Sequence, residues 1–246
     1  MTPEILIPLG LMAGAVTTAV GLGGGMLLNL SLIVAGLDIE SALMLSTPAL
    51  LVGNLGRAFL MRRSIHFPTA LTIAAAAVPG VLAGAFFLKY VDENILRALF
   101  CSSAAAYVVL AIRKEFSSRG EVEGEPIRSG PLALYGFGTG VASGSVGAGG
   151  LMLAPALRAR RLERARFVAT SGTVGAMVHI SRIVTYGAVG LTSAPIAEAA
   201  LLAVSILIGN SLGKRVLYRL SATRFRLGML AMLTAMTLAT AAKGLL

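Results

Sequence analysis

The chain has no tryptophan, one cysteine and two histidines among 246 residues, and only 13% of its residues are charged. Each scarcity excludes something. Cys101 alone cannot form an internal disulfide, and no Cys or His grouping has metal-ligand spacing, so neither a metal nor another cofactor is expected. A soluble domain carries about 25% charged residues, so 13% charged with 56% hydrophobic residues describes a membrane protein. The net charge of +10 is not a nucleic-acid signature, because the basic residues lack aromatic interleaving and fall in short clusters between apolar runs. No positively charged stretch precedes the first apolar run, so no signal peptide is expected.

Apolar windows fall at 4–36, 41–61, 66–88, 95–112, 131–157, 167–187, 194–213 and 226–243. Between them lies one long polar stretch holding Arg113, Lys114, Arg119, Glu121, Glu123, Glu125 and Arg128. The chain therefore divides into a first membrane repeat at 1–113, a cytoplasmic linker at 114–130 and a second membrane repeat at 131–246. The expected fold class is an all-α polytopic membrane protein built from two inverted repeats.

The first window of each half is broken by glycine. One break is Gly21-Leu22-Gly23-Gly24-Gly25-Met26, the other Gly147-Ala148-Gly149-Gly150-Leu151-Met152. Clustered glycines at membrane depth are costly unless the freed backbone faces a cavity or a ligand. At an offset of 126, Gly14, Gly21, Gly24 and Met26 match Gly140, Gly147, Gly150 and Met152. At 125, Ser46, Arg57, Gly84 and Lys89 match Ser171, Arg182, Gly209 and Lys214.

Loop charge fixes the expected topology. If all eight windows cross, the basic residues split 12 to 9; if windows 1 and 5 are re-entrant hairpins, they split 17 to 4. The second arrangement obeys the positive-inside rule and puts both termini outside the cytoplasm. Each half then holds one hairpin and three crossings, so the second half enters with opposite polarity. The 33 residues of window 1 suit two half-helices better than one crossing of about 20 residues.

These paired tracts resemble the sulfite exporter TauE/SafE family, the toluene-sulfonate uptake permease group, over essentially the whole chain. The most specific element is Gly149-Gly150-Leu151-Met152-Leu153-Ala154-Pro155; the first half departs from it, with Asn29 where Pro155 aligns. The resemblance implies a permease of the bacterial inner membrane for sulfite, organosulfonates or related sulfur anions. The partners it implies are a small anionic substrate and the lipid bilayer. The coupling ion (proton or sodium), the direction of transport and a homodimeric state are left open.

A re-entrant hairpin presents the N-terminus of its second half-helix at the tip, where free N–H groups and the helix dipole favour an anion. Donors are expected from Gly23, Gly24, Gly25 and Met26 through Leu27, and from Gly149, Gly150 and Leu151 through Leu153. Asn29 would place an amide nearby. Arg57 and Arg182 occupy matching windows and would attract an anion, although Arg57 is close enough to Arg62 to snorkel. Asn54 and His179 align three residues before them; His179 could line the path or carry a coupling proton. Ser46, Thr47, Thr170 and Ser171 offer hydroxyls on the same windows. Glu198, the one acidic residue in an expected span, is either a proton-coupling carboxylate or a partner for Arg182. Gly10, Gly14, Gly80, Gly84 and Gly209 read as helix-packing glycines, and Cys101 as a packing residue.

Two other classes compete. Ser143 or Ser145 with His179 could form an intramembrane serine protease, but that chemistry leaves the duplicated break unexplained. A cation permease would want carboxylates at depth, and the chain offers only Glu198.

Overall fold

A computed structural model describes residues 1–116, 128–191 and 195–219, with a few positions between 231 and 238. Most of the expected linker and of the last apolar window lies outside the described residues. The described elements are helices: α1 Pro3–Val20, α2 Gly24–Val34, α3 Ile39–Leu60, α4 Phe67–Tyr90, α5 Glu93–Phe116, α6 Ser129–Val146, α7 Gly150–Ala159, α8 Arg164–Ala188 and α9 Ile196–Arg219. A short 3-10 turn, Arg62–Ser64, joins α3 to α4. Five of these helices (α1, α3, α4, α8 and α9) are long and apolar enough to cross a membrane. Large apolar side chains such as Phe59, Leu71, Val184 and Ile196 face outward, as a lipid-bathed surface requires.

Local chemistry sets the helix starts. Pro3 and Pro68 stand in the first turns of α1 and α4, where a missing N–H costs nothing. The Asp38 carboxylate accepts from the Ser41 N–H at 2.8 Å and starts α3. Burial pushes its carboxyl upward, but the hydrogen bonds from Ser41 and its neighbours hold it below the usual carboxylate value.

Both glycine tracts break their helices. The first bend carries Gly21 and Gly23 at φ of 93° and 99°; the second carries Gly147 at 71°. L-residues with a Cβ avoid these angles, so the breaks are written into the composition.

Contacts between helices fix their directions. Along α1 and α9, Gly10 abuts Leu202 and Ser205, and Gly14 abuts Ile206 and Asn210, so the two run parallel. Helix α3 also runs with α9, since Gly53 meets Ile206 and Gly56 meets Leu207. α1 and α3 therefore begin at one end of the molecule, and α2 returns to it. In the other half, Gly136, Gly140 and Gly144 of α6 meet Ile73, Ala77 and Val81 of α4, again in parallel. The helices α3 and α8 run antiparallel, because Arg57 lies against Gly172 and Asn54 against Gly175. The two hairpins thus enter from opposite ends.

The glycines expected to pack do so. At Gly10, Gly14, Gly80, Gly84 and Gly209 a Cβ would collide with the facing helix. The pairing is exchanged between halves, with α1 on α9 and α6 on α4. Lysines follow the same exchange: Lys214 of α9 donates to the Leu60 carbonyl at the end of α3, and Lys89 of α4 to the Val189 carbonyl just after α8.

Candidate substrate site

The bends do not meet tip to tip. Gly21 packs on Phe167 and Val168 near the start of α8, and Gly147 packs on Leu43 near the start of α3. Those starts lie at opposite ends, so each hairpin reaches past the middle, and Leu22 of one bend lies beside Gly150 of the other.

Between the bends is a cavity of about 90 Å³. A water needs roughly 10–15 Å³ on this measure, so the space holds a few waters or one small oxyanion. Of the residues expected at the site, Gly23, Gly25, Met26, Asn54, Arg57, Gly149, Gly150, Ser171, His179 and Arg182 line it. Among the described residues, no acidic side chain does.

Arg57 and Arg182 are only 2% and 1% exposed, and neither has a carboxylate partner among the described residues. Snorkelling is therefore not the state of Arg57. Its Nη1 donates to the Thr17 and Gly21 carbonyls at 2.7 and 3.1 Å, its Nη2 to Asn54 Oδ1 at 2.7 Å, and its Nε has no partner. Arg182 is less engaged. Its Nε donates to the Tyr186 hydroxyl at 3.1 Å, its Nη1 lies 3.5 Å from His179 Nδ1, and its Nη2 has no partner. Tyr186 in turn donates to the Gly144 carbonyl at 2.8 Å. A buried guanidinium nitrogen with neither acid nor hydrogen bond is costly, and an anion in the cavity would satisfy it.

The half-helix starts supply fewer donors than expected. Leu27 N–H is already bonded to the Gly23 carbonyl, and Leu151, Met152 and Leu153 N–H to the Ala148 and Gly149 carbonyls. That leaves Gly24, Gly25 and Met26 in the first tract, and Gly149 and Gly150 in the second, without backbone acceptors outside the helices. The tracts also correspond one residue differently from the sequence match. Gly24 and Gly149 are the packing pair, since a Cβ would strike Thr17 and Ala13 in one and Ser143 and Thr139 in the other. Gly25 and Gly150 face the cavity.

Several expected site residues stand elsewhere. Gly24 and Leu151 do not line the cavity. Asn29 is buried against Gly147, its amide N and O both unpartnered, behind the second bend rather than inside the cavity. Ser46 and Thr47 turn their hydroxyls to the Leu43 carbonyl of their own helix. Thr170 accepts from the His66 N–H at 3.0 Å and so secures the α3–α4 turn to α8. Glu198 stands in the first turn of α9, where the helix dipole favours a carboxylate. Its partner is the Met1 amino group at 3.6 Å, not Arg182.

Thr17, Leu22, Leu50, Thr139, Ser143, Gly147 and Val178 also line the cavity. Of these, Gly147 was visible as the bend and Ser143 only as a protease candidate. No hydrogen bond joins Ser143 to His179. The packing offset of 126 between Thr17 and Ser143 was the signal available for both hydroxyls.

A helical bundle with an apolar exterior, two broken hairpins and a cavity between them lined by two buried arginines is that of a multi-pass membrane transport protein. A family model described as Sulfite exporter TauE/SafE matches residues 6–240, and the chain belongs to that family. No curated protein matches the chain. Nor does any solved structure.

Proposed function

We propose that this protein is a secondary transporter of small sulfur oxyanions, sulfite or a short organosulfonate, working by alternating access between two halves of inverted topology. The observation that carries this reading is the pair of buried arginines, Arg57 and Arg182, lining one cavity with no carboxylate among the described residues. Two unneutralised cations in a low-dielectric site are tolerable when an anion completes them.

The unpartnered Arg182 Nη2 and the free N–H groups of Gly25 and Gly150 are the proposed anion donors. Gly23, Met26, Gly149 and Ser171 shape the pocket around them. His179 is the candidate carrier of a coupling proton, because it touches Arg182 and would feel the anion arrive. The cavity's size favours sulfite over a longer sulfonate in this state. We place the chain in the bacterial inner membrane with both termini outside the cytoplasm, a reading supported by the 17-to-4 distribution of basic residues. Export is the direction the family's description favours.

The test is flux of radiolabelled sulfite into proteoliposomes holding the purified chain. Saturable uptake, inhibited by excess unlabelled sulfite and lost in Arg182→Gln, is expected. Uptake equal to that of empty liposomes would overturn the reading.

A further inference from the structure

The two bends are held differently, although the residues that could hold them are duplicated. The Gly21 carbonyl accepts from Ser171 Oγ at 2.7 Å and from Arg57 Nη1 at 3.1 Å. Arg57 also takes the Thr17 carbonyl, and Arg164 Nη2 takes the Ala19 carbonyl at 3.2 Å. Ser171 and Arg57 come from α8 and α3, so both long antiparallel helices fasten the first bend.

The counterparts at the second bend are present but bond elsewhere than the Gly147 carbonyl. Offsets of 125 and 126 pair Ser171 with Ser46, Arg57 with Arg182, and Gly21 with Gly147. Among the described residues no side chain donates to the Gly147 carbonyl. Ser46 Oγ has only a long 3.4 Å contact to the Leu43 carbonyl, and Arg182 Nη2 has no partner. The Asn29 amide, 1% exposed and against Gly147, is unpartnered at both atoms. The first bend's carbonyl is bonded by side chains of both helices, whereas at the second the Asn29 amide and Arg182 Nη2 are unpartnered and Arg182 reaches the bend's helix only through Tyr186 and the Gly144 carbonyl.

We propose that Ser171 and Arg57 are positioning residues that latch the first bend in this access state, and that Ser46 and Arg182 latch the Gly147 carbonyl in the opposite one. The proposal rests on the alternating-access reading above. Unused buried donors are expensive, and a second state that uses them accounts for their being kept. The switch exchanges the arginines' roles. The guanidinium that is not fastening a bend is the one left to meet the anion, so the contact passes from Arg182 to Arg57 as the first bend is released.

Val168 reports on the first bend, because it is fully buried beneath Gly21. In the full chain with Cys101→Ser, a Val168→Cys reporter reacts with a maleimide in proportion to the population in which that bend has lifted. One hydrogen bond is worth about a fivefold change in such a population. Ser171→Ala is therefore expected to raise the labelling rate about fivefold, and Ser46→Ala to lower it by a similar factor. A purely structural serine would raise the rate or leave it unchanged at both positions, and either result would overturn the proposal. Should Ser171→Ala fail to give a monodisperse protein, Ser46→Ala decides alone, because its hydroxyl does little in the present state; a wild-type rate would then refute the latch. Labelling needs no substrate. Reciprocal shifts without sulfite flux would sink the transport reading and leave the latch standing, whereas flux with unshifted labelling would sink the latch alone.

Discussion

Arg182 and Tyr186 lie one turn apart on α8, with the guanidinium stacked 5.1 Å over the ring and its Nε bonded to the phenol oxygen at 3.1 Å. Tyr186 thereby aims Arg182 while its own proton goes to the Gly144 carbonyl. Tyr186→Phe keeps the ring but removes both bonds. Losing one positioning hydrogen bond to a charged group should weaken sulfite binding about tenfold, and leaving the Gly144 carbonyl and Arg182 Nε unbonded should lower the unliganded stability by about 1–3 kcal/mol. Calorimetric titration of the variant checks this; unaltered affinity would remove Tyr186 from the account.

The two arginines should separate in stability. Arg57 fastens Thr17, Gly21 and Asn54, so Arg57→Gln loses several bonds to a buried charge and should cost roughly 2–4 kcal/mol. Arg182 makes one hydrogen bond, to the Tyr186 hydroxyl, and a long contact to His179, so its replacement should cost less. Arg57→Gln should therefore melt well below Arg182→Gln. Equal melting temperatures would contradict the assignment.

Adjacent glycines should also behave differently. A methyl at Gly24 would strike Thr17 and Ala13, and Gly24→Ala should destabilise the first hairpin by about 1–3 kcal/mol. A methyl at Gly150 meets only Leu22 at 3.9 Å and projects into the cavity, so Gly150→Ala should fold normally and lose sulfite binding. Thermal melts and titrations of the two variants, compared side by side, provide the check.

Asp38 gives a pH dependence away from the membrane interior. Its carboxyl sits below the usual carboxylate range in the folded chain, held there by the hydrogen bonds from Ser41 and its neighbours. A depressed carboxylate stabilises above its unfolded pKa, and that contribution is lost as the pH falls through the folded value. Asp38→Ala should therefore cost about 1 kcal/mol at neutral pH, with the gap to wild type closing as the pH falls below 3.8. A gap that persists in acid would show that Asp38 acts otherwise.

The spans, the breaks and the paired arginines were legible because each depends on composition or spacing alone. Apolar length marks a helix, clustered glycine marks a bend, and an offset of 125 aligns Arg57 with Arg182. What could not be read was rotation about each helix axis. Ser171 and Thr170 are neighbours, yet successive residues turn by about 100°, and only Ser171 reaches the cavity. The same limit hid Tyr186, a full turn beyond Arg182, and misplaced the tract correspondence by one residue. Glu198 was placed in a span because window 194–213 begins before it; α9 starts at Ile196, which leaves the carboxylate in the first turn. The asymmetry of the latches depends on which of two equivalent bonds is made, and sequence repetition alone cannot distinguish them.

The central claim is that this cavity binds a small sulfur oxyanion through Arg182. Isothermal titration of purified protein with sulfite, beside Arg182→Gln under the same conditions, tests it most directly. The account predicts a saturable heat with one site per chain for the wild type and none for the variant. Equal titrations for both proteins, or no binding to either, would contradict it.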